Sequence, residues 1–529
     1  MASGLAREKP LRIAANYHGS QASHSGLPAA PGVSQTPASV GTLPACGTDG
    51  LKPDDMRRPG AILLVSCYEL GHQPLALASP LGTLRRAGYR PAVVDTSVAE
   101  LADETIAAAR LVSISVPMHT ALRLGTRVAA RVRALNPAAH ICFYGLYASL
   151  NADYLLRECA DSAIGGEYEE ALLGLARALD SSGDRADMTQ IPQVPGVYTR
   201  QTRAAPVLAR LPFAAPARDA LPQPRHYAHL VRNGSAVPAG YVEASRGCLH
   251  TCAHCPITPV YGGRFFVVPR AVVLEDIRAQ VRAGVAHITF GDPDFLNGPG
   301  HTLALVRALH AEFPHVTFDA TIKIEHILER RQIFPVLAAL GCAFVVSAVE
   351  SLSPDVLRHL KKGHTRADVI EALAILDDAG IPMRPTLVAF TPWTTPRDYL
   401  DLLDFAEDYD LLGSIDPVQY TIRLLVPPSS ALLADESAAE WLGPLDEESF
   451  TYRWAHSDSR MDALQREAAR LVEAANSAGR EPDETFAALR ALAEETLGVP
   501  AHVRRSSHRR GGVRLARRPV PHLTEAWFC

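Results

Sequence analysis

Tyr241-Val-Glu-Ala-Ser-Arg-Gly-Cys-Leu-His-Thr-Cys-Ala-His-Cys255 is the stretch from which the rest of the chain is read. Tyr241–Ala244 has the composition of a short buried strand, and Gly247 lets the backbone turn sharply after it. Cys248, Cys252 and Cys255 follow in a Cys-x3-Cys-x2-Cys spacing. Three thiols so close together can wrap one soft metal centre. Three ligands rather than four leave a coordination position open for a reacting molecule. A structural zinc site completed by His250 or His254 is the rival reading, although zinc sites more often pair two Cys-x-x-Cys knuckles or add a distant pair of histidines.

Downstream of this loop, strand-like runs recur at His287–Gly291, Thr317–Ile322, Ala343–Val349, Thr386–Phe390 and Gln419–Leu425, with helical stretches between them. With Tyr241–Ala244 they make six strands at barrel-like spacing, which predicts a partial (β/α)6 barrel over residues 239–430. Functional side chains of such barrels sit at the carboxyl ends of the strands. Those ends carry Asp292 and Asp294 after the second strand, Lys323 and Glu325 after the third, and Glu350 and Ser351 after the fourth. Arg423, on the expected sixth strand, would point a cation into the barrel. Local roles compete at each place: an Asp-Pro turn at Asp292, a solvated charge pair at Lys323/Glu325, a helix N-cap at Ser351 or Ser353.

Upstream, strands at Ala61–Ser66, Pro91–Asp95, Leu111–Ser115, His140–Tyr144 and Ser162–Ile164 alternate with helices at Pro80–Ala87, Ala121–Leu135 and Glu169–Leu179. That alternation predicts a doubly wound parallel sheet over residues 59–182, with Ser115, Gly145, Gly165 and Gly166 at the ligand-binding carboxyl edge. Cys142 falls in a strand and Cys159 in a helix, as buried cysteines acting as small hydrophobes do. His72 and His119 read as ordinary surface or helix-start histidines. Residues 183–238 are expected to be a Pro- and Arg-rich linker and 431–500 a mostly polar helical extension. Residues 501–529 read as a basic flexible tail, and 1–58 as a disordered leader with a translation start at Met56.

The 529 residues, 47% hydrophobic with 52 Lys+Arg against 57 Asp+Glu, exclude a wholly disordered chain and a globally basic nucleic-acid binder. The run 504–518 is basic, but it lacks the interleaved aromatics of a single-strand binder. No apolar run reaches about 18 residues, so no membrane-spanning helix is expected. With no apolar leader and an odd count of 9 cysteines, a disulfide framework is not expected and the cytoplasm is the expected compartment.

Cys-x3-Cys-x2-Cys just after the first strand of a barrel-like pattern resembles the radical S-adenosylmethionine (SAM) superfamily. The resemblance implies that Cys248, Cys252 and Cys255 hold a [4Fe–4S] cluster whose open iron chelates SAM. It also implies that one electron, from a flavodoxin or ferredoxin, cleaves SAM to a 5′-deoxyadenosyl radical. His254 stands where that family usually has an aromatic residue. Gly291–Asp294 stands where it has a glycine-containing segment against the SAM amino group. Glu350 and Ser351 would reach the ribose or the ammonium group, and Lys361-Lys-Gly-His-Thr365 resembles a Lys-Gly-x-Thr stretch of the family.

The preceding sheet, with Gly71-His-Gln-Pro74, Asp95, Ser113–Met118, Tyr144-Gly145 and Gly165-Gly-Glu167, is similar to the cobalamin-binding group of that superfamily. The Asp-x-His-x-x-Gly cobalt-ligand motif is missing, so no histidine ligand to cobalt is indicated. The implied activity is cobalamin-dependent C-methylation of a small-molecule or peptide substrate. The alternatives are cobalamin-dependent rearrangement or oxidation, and a non-catalytic sensor of cobalamin or redox state. A methylthiotransferase would need three further cluster cysteines in the N-terminal domain. The terminal Cys529 also resembles the start of a Cys-Sec-Ala-Glu-Pro or Cys-Cys-Ala-Glu-Pro tail found in one subgroup, which makes a selenocysteine after Cys529 an expectation.

Overall fold

Short apolar runs that are buried on both faces form the first sheet. The computed structural model describes residues 55–181, 193–209, 212–499 and 520–525. The leader up to 54, the basic run and Cys529 lie outside these. Strands β1 (Ile62–Ser66), β2 (Ala92–Asp95), β3 (Leu111–Ser115), β4 (His140–Tyr144) and β5 (Ser162–Ile164) run parallel in the order β2-β1-β3-β4-β5, and β6 (Val197–Tyr198) adds an antiparallel edge. Every residue of β1, β3, β4 and β5 is buried, which is why they read as continuous hydrophobic runs rather than alternating ones. Helices Leu75–Arg86, His119–Leu135 and Glu169–Ser181 cover the sheet. The first starts at Leu75 rather than at the expected Pro80 because the Glu69 carboxylate accepts from the amides of Leu75 and Ala76, capping an earlier turn. Strand order reverses between β1 and β3, the switch point at which such sheets bind ligands.

The second sheet curls into a half-barrel. Its parallel strands are β8 (Ser235–Val242), β11 (His287–Phe290), β12 (Thr317–Thr321), β13 (Cys342–Glu350) and β14 (Met383–Leu387). β9 (Ser245–Gly247) and β10 (Phe265–Val267) form a small antiparallel ribbon around the cysteine loop. The expected sixth strand, Gln419–Leu425, is not formed. Pro417 starts a 3-10 turn over Pro417–Thr421, and the Gln419 side chain takes the Leu387 amide that a strand would have used. Only a bridge between Phe390 and Arg423 remains in that position.

The stretch expected to be a linker instead extends this sheet. β7 (His229–Arg232) pairs antiparallel with β8 through Asn233-Gly234, both at positive φ (51° and 77°). That is the Asn-Gly hairpin turn. β17 (His522–Leu523) pairs antiparallel with β7 at the edge. Leu523, Leu230 and Val237 pack against Phe344 and Val346 of β13 across the curl.

The expected mostly polar helical extension includes a hairpin, β15 (Leu442–Asp446) with β16 (Thr451–Trp454), before helices Ser459–Ser477 and Pro482–Leu497. Those helices bury Met461, Leu464, Phe486 and Leu489 into the same core that lies under the barrel strands, so they are part of the barrel wall. Among the described residues no helix is long and apolar enough to cross a membrane.

Candidate active site

The cysteine loop is held from several sides. Leu249 N–H donates to the Asn297 carboxamide at 3.3 Å, Ala253 N–H to Leu360 O at 2.9 Å, and the Thr258 hydroxyl to Cys252 O at 2.9 Å. Cys248 and Cys252 are 8% and 7% exposed, so the donors lie just beneath the surface of a recess. Burial pushes the Cys255 thiol up to about 12, so a cationic centre must supply the charge that makes it a thiolate ligand. The buried Lys362 ammonium would oppose the negative charge of a thiolate-bound cluster. Burial alone would lower its pKa, but Glu350, Cys252 and Cys255 raise it. Three thiols on one short loop beside a buried cation suit a [4Fe–4S] cluster better than a zinc ion.

Glu350 ends β13 with φ 63°, a strained value for a non-glycine residue at the mouth of the barrel. Its carboxylate lies 3.4 Å from His254 Nε2 and 3.5 Å from Lys362 Nζ. Burial would raise its pKa, yet Lys362 and His254 bring it down to about 2. The structure thus brings together Cys255, His254, Glu350 and Lys362. Ser351 follows, buried, its hydroxyl accepting from Ser353 N–H rather than capping the next helix. Lys323 Nζ contacts Glu325 at 2.6 Å and Lys362 O at 3.2 Å, so this pair braces the recess rather than forming a solvated edge.

The two aspartates after β11 differ. Asp292 Oδ1 accepts from the Ser245 hydroxyl at 2.5 Å and Oδ2 from Ala244 N–H at 2.9 Å. Burial, against those hydrogen bonds, leaves its pKa raised to about 7. Both oxygens are engaged in fixing β8 to β9. Asp294 caps the short turn Phe295–Asn297 through Oδ1, while Oδ2 faces His250 and His326.

Arg423 does not enter the barrel. Its guanidinium pairs with Asp462 at 2.7 Å, donates to Trp454 O at 2.6 Å and stacks 3.4 Å over the Trp454 ring. The reason is the missing sixth strand: without a ladder to fix its facing, the side chain turns to the helical extension and ties it down.

The residue the sequence reading missed is Arg246, two positions before Cys248. It contacts Glu167 at 3.0 Å and Glu169 at 2.8 Å, both out of solvent's reach or nearly so, and the partly exposed Glu243 at 2.7 Å. Tyr261, after the cysteine loop, donates to Glu167 at 3.0 Å. Glu167 directly follows Gly165-Gly166, so the carboxyl edge of the first sheet is clasped to the strand leading into the cysteine loop. His72, expected to be an ordinary exposed or helix-start residue, is instead buried at this junction with its ring 5.1 Å from that of Tyr241, and burial lowers its pKa to about 4.

At the first sheet, the expected glycines pack against the chain itself. A Cβ on Gly165 would strike Ser149, one on Gly166 the Val207 carbonyl, and one on Gly145 the Val116 carbonyl. Beside Ser149 a cleft of about 920 Å³ opens between the first domain and the β15–β16 hairpin, bordered by Asn151, Tyr154, Arg200 and Tyr452. The hydroxyl of Ser66, at the end of β1 beside the switch point, is buried without a well-aligned partner, while that of Ser115 at the end of β3 lies against the Tyr144 hydroxyl. An orphaned hydroxyl there suits a bound polar ligand.

Residues 242–406 match the Radical SAM superfamily. The cysteine loop, Asp292, Asp294, Glu350 and Lys362 all lie within the matched residues, and the match supports an enzyme that uses a [4Fe–4S] cluster and SAM. Sequence relatives include an uncharacterized methyltransferase of Pyrococcus horikoshii, 22% identical over 57% of this chain and 64% of that one. The hopanoid C-3 methylase of Methylococcus capsulatus is 25% identical over 61% of this chain and 62% of the relative. The chain thus spans somewhat less than two thirds of these relatives. By fold it resembles the cobalamin-dependent radical SAM enzyme OxsB with aqua-cobalamin and SAM bound, at TM-score 0.62 and 15% identity, over 79% of this chain and 67% of that one. It also resembles the methyltransferase TsrM of Kitasatospora setae with cobalamin and a [4Fe–4S] cluster, at TM-score 0.55 and 19% identity, over 73% of this chain and 76% of that one.

Proposed function

We propose that this chain is a cobalamin-dependent radical SAM methyltransferase that methylates a carbon of a small-molecule or peptide substrate in the cytoplasm. The observation that carries the reading is the Arg246 clasp, which sets the carboxyl edge of the first sheet against the strand entering the cysteine loop. Two cofactors that must act on one substrate need that adjacency. When bound, the cluster supplies the electron that cleaves SAM, and cobalamin supplies a transferable methyl group.

Cys248, Cys252 and Cys255 would hold the cluster. Glu350, kept ionised by Lys362, would accept hydrogen bonds from ribose hydroxyls or the ammonium group of SAM, with His254 beside it. Ser66 and Ser115 would meet polar groups of the corrin or its tail at the carboxyl edge of the first sheet. A flavodoxin or ferredoxin would deliver the electron. The fold likeness to OxsB and TsrM supports cobalamin, and the methyltransferase relatives support methyl transfer.

The test uses anaerobically reconstituted protein with SAM and dithionite. The expected result is 5′-deoxyadenosine from the intact chain, none from Cys252→Ala, and a cobalt chromophore that survives desalting. No 5′-deoxyadenosine from the intact chain would sink the radical reading, and no retained cobalamin would sink the cobalamin reading.

A further inference from the structure

Three side chains from three separate elements converge beside the cysteine loop in a way the proposed reaction does not use. His250 comes from the loop itself, Asp294 from the segment after β11, and His326 from helix Ile324–Glu329 after β12. Their nearest ligand atoms all lie within 4.8 Å of one another. Asp294 Oδ2 is 3.3 Å from His250 Nε2 and 2.7 Å from His326 Nδ1, and the two rings stand 4.9 Å apart, tilted by 61°.

Despite these short distances, none of the three atoms makes a well-aligned hydrogen bond. In a hydrogen-bonded His–Asp pair the N–H axis points at the oxygen. Here both histidine nitrogens approach Oδ2 closely but off that axis. The Asp294 side chain is 0% exposed and its other oxygen is taken by Leu296 N–H, so Oδ2 is a buried carboxylate oxygen that faces two imidazoles at once. With the imidazoles neutral, one metal cation at that point could take a donor atom from each of the three side chains.

We propose that His250, Asp294 and His326 form a binding site for one divalent transition-metal ion, separate from the cluster. Two imidazoles and one carboxylate are the donor set of borderline ions such as Zn²⁺ and Fe²⁺, and three protein ligands leave coordination positions open. His250 and His326 are 23% and 12% exposed, so the open positions face outward past the rings while Asp294 closes the floor. An ion there would act as a Lewis acid that anchors an anionic oxygen or sulfur donor of the substrate next to the cysteine loop. That anchoring role rests on the proposed radical reaction. The binding of the ion does not.

The test is metal content, independent of turnover. Full-length protein carrying its cluster is incubated anaerobically with zinc chloride, desalted, and measured for zinc by mass spectrometry and by X-ray absorption at the zinc edge. The expected result is about one zinc per chain with only nitrogen and oxygen neighbours. His326→Gln and Asp294→Asn should lower zinc occupancy at least about tenfold in competition with a chelator while iron content stays unchanged. The triple variant Cys248→Ala/Cys252→Ala/Cys255→Ala should keep its zinc, which separates the site from the cluster thiols should either single variant fold poorly. Absence of retained zinc, a sulfur shell around it, or undiminished zinc in both single variants would overturn the site. Loss of SAM cleavage with zinc retained would overturn only the radical reading.

Discussion

Replacing Arg246 with methionine should destabilise the junction of the two domains by about 3–5 kcal/mol at neutral pH, the usual cost of removing one partner from a buried ion pair. Methionine keeps the packing of the stem near Tyr168 and Phe213, whose rings the guanidinium now faces at 5.3 and 5.1 Å. The loss is therefore one of charge. Glu167 and Glu169 would be left buried at 0% and 6% side-chain exposure, with Glu243 at 24% beside them. In the intact protein burial alone would raise Glu169, but Arg246 and the Ser79 hydroxyl hold it below its ordinary value. Burial already holds Glu167 and Glu243 above their ordinary values despite Arg246; without Arg246 those two should rise further and Glu169 should join them. Groups raised in this way destabilise the folded state above their folded pKa, and the penalty fades as pH falls toward the ordinary carboxylate range. Arg246→Met should therefore melt on the order of 10 °C below the parent at pH 7.5 and recover part of that difference at pH 5.5. The decisive assay is a double-mutant cycle with Glu169→Gln. Alone, Glu169→Gln should destabilise; in the Arg246→Met background it should stabilise, because it removes a stranded charge. Additive effects across the cycle would refute the clasp.

Lys362→Met removes the ammonium that holds Glu350 at about 2. A depressed carboxylate contributes stability above its unfolded value that is lost as pH falls through the folded one, here up to about 3 kcal/mol between pH ~5 and ~2. In the cluster-free triple-cysteine variant, melts across that window should be flatter with Lys362→Met than without it, and an unchanged slope would refute the pairing. Arg423→Ala should cost about 1–3 kcal/mol and make Trp454 fluorescence more accessible to quencher while leaving the KM for SAM unchanged; a raised KM would place Arg423 in the barrel after all. Gly234→Val puts a β-branched residue at φ 77° and should cost about 1–3 kcal/mol in melts; a neutral effect would argue against the tight hairpin turn.

The strands were legible because parallel strands covered on both faces must be apolar throughout, and the cysteine loop was legible because three thiols in one short loop have few other uses. The sixth barrel strand misled because Gln419–Leu425 has the right composition, while the choice against a ladder is made by Pro417 and by one side-chain amide reaching Leu387. The Asn233-Gly234 turn was a readable hairpin signal hidden in a Pro- and Arg-rich stretch. Arg246 could not be found by spacing, since its partners Glu167 and Glu169 lie 79 and 77 residues away. His326 follows the third strand as Asp294 follows the second, so the strand-end rule could have singled it out.

The pairing of β17 with β7 joins His522 to Val231 and Leu523 to Leu230. During synthesis the half-barrel can therefore curl long before its outermost edge is covered. At ribosomal rates of about 5–20 residues per second, the edge of β7 waits roughly fifteen seconds to a minute for its partner to be made. Over that interval it is an open edge onto which another nascent chain could add. Slow translation of the last third of the message, or crowding of ribosomes upon it, should then lower the yield of native protein even though every residue of the site is already in place.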